Sequence, residues 1–127
     1  MEVKTYKQLI KEADRVFSIW IRTKDADSNG MVACYTCKKQ DHWKKMDCGH
    51  YISRKYLSTR YYEKNCKPQC KHCNVFSEGN KPAFAIALRK EYKNGILEEL
   101  DQLSHISVKY SREKLGWMIE SFKKQIK

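Results

Sequence analysis

Two cysteine pairs are the residues of this sequence whose types and spacing point most directly to chemistry. Cys34 and Cys37 form one C-x-x-C pair, and Cys70 and Cys73 form a second pair after an interval of 32 residues. Four thiolates with this spacing converge tetrahedrally on Zn²⁺. A reducing cytosol disfavours a disulfide framework, so the pattern predicts a structural zinc ion.

A zinc ion with four cysteine ligands has no position open for water, so it holds the fold and performs no reaction. Catalysis would need other residues, and the chain supplies them between and just after the cysteine pairs. A neutral histidine accepts a proton near pH 7, and carboxylate and amide oxygens bind hard divalent cations. Residues of these types are His50, Asn65, Asn74, Asp47 and Glu78. Cys48 and Cys66 are left over, and we expect both to be small buried side chains.

The elements that must position these residues follow from hydrophobic periodicity. Apolar residues at helical spacing predict an amphipathic helix over residues 5–23. Short strands are expected over residues 31–35 and 46–52, with the first cysteine pair in the turn after the first strand. A short helix follows Cys73, and further helices are expected over residues 81–93 and after Ser111.

One cysteine pair on a hairpin turn and the other at the start of a helix form the arrangement called a treble clef. The expected fold is therefore α+β, with one domain over residues 1–127. Its zinc-bound core covers residues 31–80, between the N-terminal helix at 5–23 and C-terminal helices within 81–127. Apolar stripes on the first and last helices are either packed within the chain or form an interface with a second copy.

Positive charge is concentrated in the same part of the chain. The formal net charge is +11, and residues 38–71 contain ten Lys or Arg residues against three acids. Tyrosines alternate with these basic residues, which favours a polyanion such as nucleic acid as the partner. The longest apolar stretch, residues 83–88, is far too short to span a membrane, and Lys4, Lys7 and Lys11 interrupt any signal peptide. We expect a soluble, cytoplasmic protein.

The order of several motifs resembles the HNH endonucleases, ββα-metal nucleases in which a hairpin and a helix hold one divalent ion. More narrowly, it is similar to the NinG/Rap recombination proteins of lambdoid phages. The likeness runs from about residue 32 to residue 95. The motifs that carry it are Asp47-Cys-Gly-His-Tyr-Ile-Ser-Arg54, Thr59-Arg60, Asn65, Gln69-Cys-Lys-His-Cys-Asn74 and Gly79-Asn80.

The resemblance implies a role for each matching residue. His50 would be the general base, Asn65 would order the loop and hairpin, and Asn74 would bind a catalytic Mg²⁺ or Mn²⁺ ion. Many HNH enzymes place an acidic ligand directly before the base, but that position here is Gly49. Asp47 is the nearest acid, although a regular strand would direct it to the face opposite His50.

Two further residues are alternatives for completing the catalytic metal site. Glu78 would share a helical face with Asn74 if the helix extends that far. Asn80 either binds the ion or caps the helix that follows it.

The activity implied by the resemblance is hydrolysis of DNA phosphodiester bonds to leave a 5′-phosphate. Arg54, Lys55 and Arg60 would hold the flanking phosphates, or the arginines would instead pair with Asp47 or Glu63. The substrate would be branched, such as a Holliday junction or D-loop, in the cytoplasm of a bacterial host infected by the phage. Cutting two strands close together favours a homodimer. The alternatives are a non-catalytic zinc module that binds nucleic acid and a zinc module that binds another protein.

Overall fold

The computed structural model describes residues 3–126, so residues 1, 2 and 127 of the predicted domain lie outside the described range. Helices occupy both ends of the chain, and two small antiparallel sheets lie between them. The α+β prediction is therefore confirmed. The helices are α1 (Tyr6–Thr23), α2 (Leu57–Arg60), α3 (Lys81–Tyr92), α4 (Ile96–Ser104) and α5 (Arg112–Gln125). The strands are β1 (Met31–Ala33), β2 (Gln40–His42), β3 (Met46–His50) and β4 (Cys66–Cys70).

Helix α1 is the predicted N-terminal helix, and its start is defined by a capping box. The Gln8 amide donates to the Thr5 hydroxyl at 3.1 Å, and the Thr5 amide donates to the Gln8 side chain at 2.8 Å. These bonds satisfy amide groups that have no partner inside the helix. The buried side of the helix carries Ala13, Val16, Phe17 and Ile21.

Helix α5 packs its apolar stripe onto α1, which decides between the two predicted uses of these stripes. Leu115, Met118 and Ile119 are buried in the same core as α1. The Phe122 ring stacks on Trp20 with 5.8 Å between the ring centroids. The two stripes therefore cover each other within one chain and are not free to form an interface.

The first sheet is a hairpin that presents the first cysteine pair. β1 pairs antiparallel with β2, with Ala33 opposite Gln40. In the turn between them, the Lys38 amide donates to the Cys34 carbonyl at 2.9 Å, and the Cys34 amide donates to the Lys39 carbonyl at 2.8 Å. Lys38 has a left-handed backbone with φ of 70°, which folds the turn back on itself.

The second sheet pairs β3 with β4, with His50 opposite Cys66. β4 was not predicted, because its middle residues are Lys67, Pro68 and Gln69, and a proline between two polar residues is atypical of a buried strand. β3 ends at His50, two residues before the predicted end. A π-helical turn, His72–Phe76, follows β4 directly.

A separate apolar cluster, apart from the α1–α5 core, lies between α3 and α4. Phe84 and Leu88 of α3 contact Ile96 and Leu100 of α4, and all four are buried. Helix α3 is the predicted helix at 81–93, whereas α4 was not expected. No helix within residues 3–126 is both long enough and apolar enough to cross a membrane.

Candidate functional site

The four predicted zinc ligands lie together. The sulfur atoms of Cys34, Cys37, Cys70 and Cys73 are all within 4.8 Å of one another, and the Cys37 and Cys70 sulfurs are 3.7 Å apart. Zn–S bonds of about 2.3 Å in a tetrahedron place sulfur atoms about 3.8 Å apart. The donor set and the spacing therefore fit a zinc ion.

Polar groups around the Cys34 sulfur favour its thiolate form. The Thr36 hydroxyl is 3.3 Å from the Cys34 sulfur. Burial opposes ionisation of Cys34, but hydrogen bonds from Thr36 and from backbone amides lower its pKa to about 6. The Asn80 amide lies at 3.5 Å from the Cys73 sulfur and donates to it. Asn80 precedes α3, but its side chain makes no capping bond, so it serves the cysteine cluster instead of the helix.

A cleft of about 380 Å³ lies next to this cluster, since one of its lining residues, Asn74, directly follows Cys73. It is bounded by α1, by β3, by the segment after β3 and by the π-helical turn. Its lining combines one imidazole, one amide, one carboxylate and one guanidinium group with a thiol. The lining residues are Asp14, Phe17, Ser18, Cys48, His50, Arg54 and Asn74. Two of the predicted catalytic residues, His50 and Asn74, therefore face the same space.

His50 is held in one tautomer by the backbone. Its Nε2 atom lies 2.9 Å from the Arg60 carbonyl oxygen. A carbonyl oxygen only accepts, so Nε2 carries the proton and Nδ1 is the basic atom of the neutral ring. Burial lowers the pKa of His50 below its ordinary value of 6.5, which keeps the ring neutral at pH 7. The Lys81 ammonium donates to the His50 carbonyl at 2.6 Å and so holds the end of β3.

Asn65 is fully buried and orders the segment after β3. Its side-chain oxygen accepts from the Ile52 amide at 2.8 Å. Its amide group donates to the carbonyls of Ile52 and Thr59, both at 3.1 Å. Asn65 directly precedes β4, so these bonds hold the loop that contains Arg54 against the start of that strand.

Asn74 and Asp47 contact each other although only Asn74 lines the cleft. The Asn74 amide donates to Oδ2 of Asp47 at 3.1 Å, and the Lys71 ammonium lies 2.8 Å from Oδ1 of the same carboxylate. Asp47 lies on the strand face opposite His50, as the alternation of β3 predicts. Asp47 therefore contacts a residue of the cleft, Asn74, without lining the cleft itself.

Glu78 does not lie beside Asn74 on a helix, so that prediction is wrong. It required a helix extending to residue 78, but the π-helical turn ends at Phe76. Glu78 lies in the turn that follows, exposed and with a left-handed backbone at φ of 50°. It does not share a helical face with Asn74.

The three basic residues predicted to bind phosphate differ in their surroundings. Arg54 lines the cleft, and the exposed Lys55 ammonium lies 5.2 Å from the centre of the Tyr56 ring. Arg60 is instead engaged with Asp14: its Nε donates to one carboxylate oxygen at 2.8 Å and an Nη donates to the other at 2.5 Å. Arg60 therefore orders the wall of the cleft and has no free guanidinium fork to offer a phosphate.

The partners suggested for the arginines also differ from expectation. Asp47 pairs with Lys71, and Glu63 pairs with Lys24 at 3.2 Å. The carboxylate that Arg60 uses was missed because Asp14 lies on α1, 46 residues away along the chain. One charged residue beside the buried stripe of an amphipathic helix carries no local signal of such a role. Lys81 was missed because the carbonyls that it binds belong to His50 and Tyr51, 31 and 30 residues away along the chain.

The chain was also compared with known proteins. A family model described as bacteriophage Lambda NinG protein matches residues 1–127, which is the whole sequence. No curated protein and no solved structure matches the chain. The family model covers the terminal helices as well as the cysteine pairs and the cleft residues between them, so the match does not rest on the zinc-ligand spacing alone. The chain therefore belongs to the bacteriophage lambda NinG protein family.

Proposed function

We propose that this protein is a metal-dependent DNA endonuclease of the HNH type. One observation carries the proposal: His50, with a basic Nδ1 atom, shares a cleft with Asn74 and Arg54. Hydrolysis of a phosphodiester needs a base for the attacking water, oxygen ligands for a divalent cation and positive charge for the phosphate. The cleft and its immediate neighbours provide all three.

His50 is the general base in this proposal. It would take a proton from water at Nδ1 while Nε2 remains bonded to the Arg60 carbonyl. That carbonyl fixes the plane of the ring, so the base does not have to be oriented at the moment of reaction. The lowered pKa keeps the base in its reactive form at neutral pH.

Asp47 and Asn74 are the residues that would hold Mg²⁺ or Mn²⁺. The Asn74 amide nitrogen is used by Asp47, which leaves its side-chain oxygen available as a ligand. Each Asp47 oxygen accepts one hydrogen bond and retains a lone pair, and the Lys71 partner is an exposed side chain that can leave. Hard divalent cations prefer such oxygen donors. When bound, the ion would neutralise negative charge that develops on the phosphate.

The DNA backbone would approach the open side of the cleft. Arg54 is the cleft residue best suited to a phosphate, since Arg60 is occupied by Asp14. Lys55 and Lys71 are exposed beside it, and the net charge of +11 adds a long-range attraction. We therefore expect binding that weakens steeply as salt increases.

We infer branched DNA as the substrate and phage recombination as the setting. Membership in the NinG family supports the recombination role, together with the resemblance of the motifs between residues 47 and 80 to phage recombination proteins. A Holliday junction or D-loop is then the natural substrate. Two cuts on one junction would require two copies of the chain, which would contact each other through a surface other than the α1 and α5 stripes.

The test is cleavage of a labelled four-way junction and a matched duplex by zinc-loaded protein, with Mg²⁺, with Mn²⁺ and without either ion. We expect ion-dependent cuts on the junction, and a rate lower by about 10²–10⁴-fold in His50→Ala, with binding retained. His105→Ala is the matched control, because His105 is exposed, follows the last residue of α4 and does not line the cleft. Binding without cutting under every condition would contradict the nuclease and favour a non-catalytic nucleic-acid module.

A further inference from the structure

Three side chains outside the zinc cluster meet on the side of the β3–β4 sheet that faces α1. They are Cys48, His50 and Cys66, and their ligand atoms all lie within 4.8 Å of one another. Cys48 and Cys66 also pack against the α1–α5 core. The sequence predicted two unrelated buried thiols. In the structure, both sulfurs instead lie beside His50, the proposed general base.

Strand register indicates how the two sulfurs can be joined. Cys66 is directly opposite His50, and Cys48 precedes His50 by two residues, so the two cysteines are diagonal neighbours. Diagonal residues of an antiparallel pair lie about 7–8 Å apart. A disulfide requires a Cα separation of about 4.4–6.8 Å. A direct S–S bond would therefore need movement of the backbone, whereas a metal ion bridges sulfurs about 3.8 Å apart.

The donor set selects a soft metal. Two thiolates and one imidazole are ligands of Zn²⁺, whereas Mg²⁺ requires oxygen. Two thiolates balance the charge of a divalent ion, so the neutral complex can be accommodated although Cys66 is fully buried. Cys48 and His50 line the cleft, which provides a path for the ion and leaves its fourth position accessible.

One backbone oxygen already holds two of the three ligands together. The Arg60 carbonyl accepts from His50 at 2.9 Å and from the Cys66 thiol at 3.7 Å. Metal binding would release the protons of both thiols. The hydrogen bond from Cys66 to the Arg60 carbonyl would then be replaced by a metal–sulfur bond. The ligands therefore do not have to be gathered from distant positions.

We propose that Cys48, His50 and Cys66 form a second metal site, for a thiophilic divalent ion such as Zn²⁺, whose fourth position opens into the cleft. Occupation of this site would remove His50 from its role as a base, so excess zinc would inhibit the enzyme while the four-cysteine zinc remains necessary for folding. The metal site rests on the geometry of the three residues. The inhibition rests on the proposed nuclease function.

The site is tested by titrating Co²⁺ into protein whose four-cysteine site is loaded with zinc, because Co²⁺ binds more weakly than Zn²⁺ and does not displace it. We expect one additional equivalent to bind with a thiolate-to-cobalt charge-transfer band. The band should disappear in Cys48→Ser and in Cys66→Ala but remain in the control His105→Ala. Circular dichroism and a zinc content of one per chain verify that each variant is folded. Absence of the band from the wild type, or its persistence in either cysteine variant, would overturn the site.

The inhibitory role is tested by the ratio of junction cleavage with and without excess Zn²⁺, each variant being compared with its own rate. We expect at least a tenfold decrease in the wild type and a much smaller decrease in both cysteine variants. Equal inhibition of all three would overturn the inhibitory role. If no preparation cuts DNA, the nuclease proposal fails, while the cobalt titration still decides whether the metal site exists.

Discussion

Cys73 and Asn74 are adjacent in the chain, yet they belong to two sites of opposite character. Cys73 belongs to a cluster of four cysteines, buried except for Cys37, whose sulfur atoms would enclose a metal ion. Asn74 faces an open cleft whose polar groups come from α1, from β3 and the segment after it, and from the π-helical turn. A closed set of identical ligands suits a structural ion, whereas an open set of different groups leaves room for water and substrate. Under the proposed function, Cys73 stabilises the fold, whereas its neighbour Asn74 takes part in catalysis.

Zinc removal tests the four-cysteine site, and we expect it to have the largest effect on stability. Structural zinc ions contribute about 10–16 kcal/mol of apparent binding free energy, which is comparable to the whole stability of a domain, about 5–15 kcal/mol. We expect a chelator to abolish cooperative thermal unfolding and amide protection over residues 31–80. Circular dichroism and hydrogen exchange measure these changes. Protection that remains after the zinc content has reached zero would contradict the structural role.

Asn65→Ala should have the next largest effect, on the loop that supports the cleft. The substitution leaves the amide and carbonyl of Ile52 and the carbonyl of Thr59 without their buried partner. We expect the free energy of unfolding to fall by about 3 kcal/mol, since each buried unsatisfied group costs about 1–3 kcal/mol. Urea unfolding of the zinc-loaded protein measures it. Asn94→Ala, in an exposed turn, is the matched control. Equal stability of the two variants would show that Asn65 does not order this loop.

The pH dependence tests the open site through His50. Burial lowers the pKa of His50 below 6.5, so the folded protein binds this proton less readily than the unfolded chain does. Stability should therefore fall as the pH drops from about 6.5 to the lowered pKa, by at most about 1.4 kcal/mol per pH unit, and then level off. The cleavage rate should fall about tenfold per pH unit below that pKa.

Stability curves of the wild type and His50→Asn measure this effect. The difference between them should vary over this pH range and be constant above about pH 7. A constant difference at every pH would contradict the lowered pKa.

The Asp14 and Arg60 pair should give the smallest effect. Both side chains are partly exposed, at 23% and 18%, so their interaction is weakened by solvent. We expect a coupling energy of about 1 kcal/mol in a double-mutant cycle of Asp14→Asn and Arg60→Gln. Urea unfolding measures it. A coupling of zero would mean that the pair does not stabilise the wall of the cleft.

The sequence allowed the closed site to be predicted more completely than the open one. Spacing alone identified Cys34, Cys37, Cys70 and Cys73, because both C-x-x-C pairs are local patterns. Periodicity likewise predicted α1, α3 and α5. Asp14 and Lys81 carry no such pattern, since each reaches the cleft region from a distant helix. The β4 strand was missed because Lys67, Pro68 and Gln69 are atypical of a buried strand. Glu78 was misplaced because the sequence does not reveal that the helical turn ends at Phe76.

The most direct test of the central claim compares Cys73→Ser with Asn74→Ala, measuring zinc content, thermal unfolding and Mg²⁺-dependent junction cleavage on the same preparations. We expect Cys73→Ser to lose zinc and cooperative unfolding. Asn74→Ala should keep one zinc ion per chain and unfold as the wild type does, yet lose cleavage. Full cleavage by zinc-loaded Asn74→Ala, or loss of zinc from it, would contradict the separation of the two sites.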